Sequence, residues 1–169
     1  VEREAIDLAQ ENLDFGFMYK NEEHFNNDFL TGTPDVNTDS ILLDVKSSYD
    51  GTTFPWFATE IPNKDYYFQL MGYMALCNKR KSILAYCLIN TPSEIVEDEV
   101  RRAHWSSHLI DESEELRAEV EAKHNFDHIP AEKRIKTFDI KYDKDVVKAI
   151  YDRIKECREY YKTLIDEQD

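Results

Sequence analysis

The sequence predicts an α/β fold with a mixed central β-sheet and helices on both of its sides. Two observations carry this. Three runs, 41–47, 82–90 and 135–142, have strand character, the first two as near-continuous apolar stretches and the third by alternation. Between and around them lie segments with helical spacing, in the order helix, strands, helix, strand, two helices, strand, helix. Such an order suits a sheet covered on both faces. At 169 residues, with 41% apolar and 12% aromatic side chains, the chain suits a single domain over 1–169 with its own core. Only 4 Gly and 5 Pro leave little room for linkers.

Each element has its own signal. Ala5, Ile6, Leu8, Ala9 and Leu13 space a first helix over 2–13. A short strand is expected over 15–19, and Phe25, Phe29 and Leu30 lead into the turn Gly32-Thr33-Pro34. Ile41-Leu42-Leu43 opens the central strand, and Asp50-Gly51 marks a turn. Phe54-Pro55-Trp56-Phe57 is an aromatic loop that either packs on its own domain or offers a stacking platform. Asn63 caps a helix running to about Asn78. Thr91-Pro92-Ser93-Glu94 reads as a capping box with proline at the first helical position, opening a helix to about Leu109. Asp111 and Glu114 form a second possible box before a charged helix ending near His124. This charged pair makes a helical insertion over about 92–128. Asp143 caps the last helix, whose buried stripe is expected to be Val147, Ile150, Ile154, Cys157, Tyr161 and Leu164.

Charge and cysteine content narrow the function classes. No apolar run approaches the ~18 residues of a membrane span, and no secretory leader is visible. Cys77, Cys87 and Cys157 are odd in number and scattered, which fits buried free thiols in a reducing cytoplasm. The net charge of −14 argues against a polyanionic partner. Against that, the cations cluster as Lys79-Arg80-Lys81, Arg101-Arg102 and Lys133-Arg134 with Lys136, so a local positive cleft on an acidic body is open.

The richest stretch for chemistry runs from Gly32 to Ser48. Asp35 sits in a turn nine positions before Asp44, and Lys46 follows Asp44 at two. Strand alternation gives Asp44 and Lys46 one face and turns Val45 away. A short hairpin between the acids would bring Asp35 to that face. Two carboxylates can hold a hard divalent cation through oxygen, and a neighbouring ammonium can orient a water.

These residues resemble the signature of the PD-(D/E)xK nuclease superfamily, with Pro34-Asp35 as its first half and Asp44-Val45-Lys46 as its second. Gln69 and Tyr73, one helical turn apart, are similar to the helix after the catalytic strands in the RecB-like and YqaJ-type, lambda-exonuclease-like viral recombinase branch. Glu2-Arg3-Glu4-Ala5 is similar to that branch's Glu-x-x-Ala helix. The resemblance covers about 2–73 and implies a restriction-endonuclease-like core. It implies a metal-dependent deoxyribonuclease, an exonuclease of phage-type DNA recombination or repair, that leaves 5′-phosphate products. Asp35, Asp44, the Val45 carbonyl and Glu2 would hold Mg2+ or Mn2+, with Glu4 in reserve for Glu2. Lys46 would position the attacking water, while Gln69 and Tyr73 would support the site or grip a phosphate. Lys79, Arg80 and Lys81, or Lys133 and Arg134, would face DNA, a linear duplex entering a homo-oligomeric ring. A single-strand annealing protein is the further partner implied, in the cytoplasm of a bacterial or phage-infected cell. A structure-specific or restriction-type endonuclease, or a non-catalytic DNA-binding subunit, is the alternative on the same fold.

Other chemistry is weakly signalled. His104 and His108, and His124 and His128, have four-residue spacing, yet neither pair carries the glutamate of a zincin. No phosphate-binding glycine loop and no Gly-x-Ser-x-Gly elbow is present. Glu97-Asp98-Glu99 and 112–115 read as solvated helix faces. Three scattered cysteines cannot supply a four-cysteine iron–sulfur ligand set.

Overall fold

A computed structural model of the chain describes residues 1–108 and 113–166. Its elements are α1 (Glu2–Asn12), β1 (Phe25–Asn26), β2 (Thr31–Gly32), β3 (Val36–Asn37), β4 (Leu42–Ser47), α2 (Lys64–Leu76), β5 (Lys81–Cys87), α3 (Ser93–Ser106), α4 (Glu114–His124), a 3-10 turn (Ala131–Lys133), β6 (Ile135–Lys141) and α5 (Lys144–Asp166). A four-stranded sheet has the order β3-β4-β5-β6, and β1 and β2 form a separate antiparallel pair. The larger sheet is mixed. β3 and β4 are antiparallel. Ser48 N–H donates to Cys87 O at 2.9 Å, so β4 and β5 end side by side and run parallel. The crossover that a parallel pair requires is α2. Tyr142 N–H donates to Arg80 O, and Leu88 N–H to Arg134 O, which sets β6 antiparallel to β5. Among the described residues no helix is long and apolar enough to cross a membrane.

The chain divides into two compact units, one of Val1–Lys20, Val45–Glu60 and Ala85–Phe138, the other of Asn21–Asp44, Ile61–Leu84 and Asp139–Asp169. In the first, α1 buries Ala5, Ile6, Leu8 and Ala9, and the Cys87 thiol donates to Ala5 O at 3.4 Å. Burial pushes that thiol up to about 12, which removes it as a nucleophile. In the second, Val36, Leu42, Leu43, Leu70, Met71, Met74 and Leu84 are fully buried. Each such side chain contributes about 1.5–3 kcal/mol relative to exposure. Asn63 caps α2 by accepting from Asp65 N–H, and Asp143 accepts from Asp145 and Val146 N–H at the start of α5, as expected.

Several expectations fail for local reasons. Residues 15–19 are not a strand. Gly16 takes φ +75, and Met18 N–H donates to the Gln10 side chain instead of to a neighbouring strand. The capping box at Thr91 does not form. Pro92 is the cap residue and makes no side-chain bond, while the Thr91 hydroxyl donates to Tyr49 O at 3.2 Å. Asp111 and Glu112 lie outside the described residues, and it is Ser113 that caps α4 through Leu116 N–H. The apolar stripe of α5 is buried only at its start: Val147 is buried, whereas Cys157, Tyr161 and Leu164 are exposed. The thiols therefore differ, with Cys87 buried, Cys77 half-buried and Cys157 exposed. The aromatic loop is divided. Phe54 is buried edge-on against Trp56, whose indole donates to Gly51 O, but Phe57 is 95% exposed.

The acidic face of α3 is not simply solvated. Glu97 accepts two bonds from the Arg117 guanidinium of α4, at 2.6 and 3.1 Å. Glu99 accepts from the Tyr49 hydroxyl at 2.9 Å and lies 3.0 Å from Nε2 of the buried His124. His124 Nδ1 meets the Thr91 hydroxyl at 2.9 Å. Tyr49, Glu99, His124 and Thr91 thus tie α3 and α4 to the loop before α3 and to the segment after β4. Hydrogen bonding from Tyr49, with His124 adding to it, holds the Glu99 carboxyl below its ordinary 4.5.

A depressed carboxylate stabilises the fold above its unfolded value and loses that contribution as pH falls through the folded one. The melting temperature should therefore decline on acidification from about pH 5 downward. Thermal melts of the parent and Glu99→Gln across that range should show a shallower decline in the variant. Parallel curves would remove Glu99 from the pH response.

Candidate active site

The site expected from the sequence begins at the β3–β4 hairpin. Its turn is closed by Thr38 N–H donating to Ile41 O at 2.9 Å and by Ile41 N–H donating to the Thr38 hydroxyl at 3.3 Å. The Lys79 ammonium donates to Thr38 O at 2.5 Å and pins the same turn. In the ladder Val36 pairs with Leu43 and Asn37 with Leu42. Asp35 directly precedes β3 and Asp44 directly follows Leu43, so the two acids flank the Val36–Leu43 pair from either strand.

The two acids differ in burial. Asp44 is 1% exposed, in a strand whose Leu42, Leu43 and Val45 are also buried. Asp35 is partly exposed and follows the buried Pro34. Lys46, two residues beyond Asp44 in β4, is also partly exposed and projects to the same strand face. Asn21 holds the first acid's backbone: its N–H donates to Asp35 O at 2.7 Å, and its side-chain amide donates to Pro34 O at 3.0 Å and to Glu23 O at 2.9 Å. Asn21 is itself buried. It had no signal in the sequence, because an asparagine in a polar segment looks like any loop residue.

On α2, the Gln69 side-chain amide donates to the Tyr73 hydroxyl at 2.9 Å, so the expected same-face pair is in contact. The Tyr73 ring lies against Gly32. A Cβ on Gly32 would meet Tyr73 Cε1 at 2.4 Å, whereas one on Gly72 would meet Leu30 Cδ1 at an ordinary 3.6 Å. The close approach of the Tyr73 ring is thus to Gly32, in β2.

The other expected residues have definite places. Glu2 is on the first turn of α1, 42% exposed, with Lys20 Nζ at 3.1 Å. Glu4 pairs with the Val1 amino group at 3.3 Å and lines a cleft of about 270 Å³ with Asp7, Glu11, Asn90 and Arg134. Arg134 is 18% exposed, 3.7 Å from Asp127, and Lys133 is exposed at the end of the 3-10 turn. The Arg80 guanidinium lies 4.9 Å over the Tyr142 ring, and Lys81 is exposed. His104 Nε2 accepts from Ser113 N–H at 2.7 Å, with its Nδ1 at Val100 O. Among the described residues no three or more His, Cys, Asp and Glu side chains group as a metal-binding cluster. The oxygens that the metal reading calls on are the two carboxylates and the Val45 carbonyl that follows Asp44. These are hard donors of the kind magnesium and manganese take.

No protein-family model matches the sequence, and no curated protein matches it. A solved structure does. The chain is similar to the crystal structure of a phage-related exonuclease from Haemophilus somnus 129PT, with a TM-score of 0.76 and 28% identity, over 99% of this chain and 70% of that one.

The two glycines should respond to alanine with opposite signs. Gly32→Ala should cost about 1–3 kcal/mol, because the Tyr73 ring must move to admit the new methyl group. Gly72→Ala should be neutral or stabilise by up to ~1 kcal/mol, since a helix interior prefers alanine and the space is free. Urea unfolding of both variants measures this, and equal losses would refute the packing described for Tyr73.

Proposed function

We propose that this chain is a divalent-metal-dependent DNA exonuclease of the PD-(D/E)xK type, with Asp35, Asp44 and Lys46 as its working residues. The observation that carries the reading is the likeness to a phage-related exonuclease along nearly the whole chain. The β3–β4 hairpin supports it, because the two acids the reading requires flank its Val36–Leu43 pair. The donor set fits magnesium or manganese: two carboxylates and a main-chain carbonyl, all oxygen. When bound, the metal supplies charge neutralisation at the scissile phosphate and its leaving oxygen.

The chain's own residues have separable tasks. Asp35 and Asp44 present the metal's carboxylates, with the Val45 carbonyl beside them. Glu2 is the third acid of this reading, from the helix that the resemblance assigns it to. Lys46 orients the attacking water and offsets negative charge that grows on the phosphate. Water adds to phosphorus, the bond from phosphorus to the 3′ oxygen breaks, and the products are a 5′-phosphate and a 3′-hydroxyl. Gln69 and Tyr73, joined by their hydrogen bond, hold the helix face that supports the hairpin side of the site. At −14 the chain gains little from long-range attraction to DNA. Entry at a free end, within a ring of copies, is the proposed remedy.

Calorimetric titration with manganese tests the ligands. Asp35→Ala and Asp44→Ala should each abolish the binding seen in the parent, and unchanged binding in both would move the metal elsewhere. Lys46→Ala should lower the cleavage rate by at least ~100-fold while still retaining linear DNA in calcium. Linear duplex should be degraded with magnesium and covalently closed circles spared. Rapid nicking of the circles would replace the exonuclease by an endonuclease.

A further inference from the structure

The distal half of α5 carries an ordered apolar seam with no use in the reading above. Val147, Ile150, Ile154, Cys157, Tyr161 and Leu164 alternate in steps of three and four, the spacing of a coiled-coil seam. Its first half is used within its own unit. α5 packs on α2, Val147 is buried, Ile150 and Ile154 are half-buried, and Tyr151 stacks on Phe29 at 4.7 Å. From Lys155 to Ile165 every residue is exposed, including Tyr160, Tyr161 (64%), Leu164 and Ile165. The seam therefore continues past the point where its partners within that unit stop.

Charge says what kind of helix could cover it. The shallow groove on this face is lined by Arg153, Ile154, Cys157, Arg158, Tyr161 and Lys162, three cations and no acid. Arg153 and Arg158 occupy the positions flanking the seam, where interhelical ion pairs select partners. Their placement is supported from outside the groove. Arg153 pairs with Glu156 at 2.9 Å, and Arg158 donates to Asp28 O and lies 5.5 Å over the Phe29 ring. A second copy of α5 fits poorly. In an in-register parallel pair Arg153 would face Arg158 of the other copy, like charge against like.

We propose that the exposed half of α5 is a docking strip for one amphipathic helix of another protein. That helix would pack its apolar seam on Cys157, Tyr161 and Leu164 and set Asp or Glu against Arg153 and Arg158. The chain as a whole bears −14, so unspecific attraction would favour a basic helix. A preference for an acidic one can come only from the local pattern.

The test uses two labelled peptides of about four heptads, long enough to be helical, with leucine at the seam and either Glu or Lys at every flanking position. Fluorescence anisotropy with the intact chain should show the Glu peptide binding at least ~10-fold tighter than the Lys peptide, with added salt narrowing the gap. Arg153→Glu together with Arg158→Glu should reverse that order, and Arg153→Glu alone, at a well-exposed side chain, should reduce it. Tyr161→Asp should abolish binding of both peptides without changing the melting temperature. Preference for the Lys peptide, equal affinities, or binding indifferent to Tyr161→Asp would each overturn the proposal. So would a stable dimer in light scattering that Tyr161→Asp dissociates, since the strip would then be an interface between copies. None of these readings involves cleavage, so failure here leaves the nuclease assignment standing, and the reverse.

Discussion

The antiparallel register of β3 on β4 is the constraint on which the candidate site depends. A shift by one residue would turn Leu42 and Leu43 over and move Asp44 to the other face of the sheet. The pairing of Val36 with Leu43 prevents this, because both side chains are wholly buried. Asp35 and Asp44 thus flank a pair fixed by apolar packing. The turn is fixed by polar bonds at Thr38 and by Lys79, and the other flank by Asn21.

Within each unit, cations on an acidic chain serve structure as well as surface. Lys79 is spent on a carbonyl, Arg80 lies over Tyr142, Lys20 is beside Glu2, and Arg117 clamps Glu97. The ion pairs Lys20–Glu2 and Arg117–Glu97 are exposed enough that each contributes little singly. Collectively they consume positive charge that a nucleic-acid surface would otherwise present. A reading of the chain as a nuclease therefore rests on the hairpin and on likeness to a solved exonuclease, and not on any broad basic face.

The helices show how polar side chains can be drawn inward without a catalytic role. His124 is buried because Glu99 and Thr91 satisfy both ring nitrogens, and Tyr49 closes the group from the loop. Such a network replaces hydrophobic packing where α3 and α4 are short of apolar residues, with Val100 and Val120 the buried side chains they contribute to the apolar core. α5 is the converse case, where apolar residues at regular spacing remain exposed because the partners within their unit end first.

The sequence by itself determined the strands β4, β5 and β6, the helices α1, α2 and α5, and the caps at Asn63 and Asp143. It also placed Asp44 on a buried strand, Asp35 in a turn, and Gln69 with Tyr73 on one helix face. These are local matters of apolar period, turn residues and capping side chains, which act over a few residues. Tertiary structure alone decided the rest. Asn21 reaches Asp35 across a segment with no periodic signal, Gly32 and not Gly72 receives the Tyr73 ring, and Thr91 abandons its helix for Tyr49. The Cys157, Tyr161 and Leu164 stripe reads the same in sequence whether covered or bare. Periodicity reports which side chains share a face, and only the positions of the other elements determine whether anything is there to meet it.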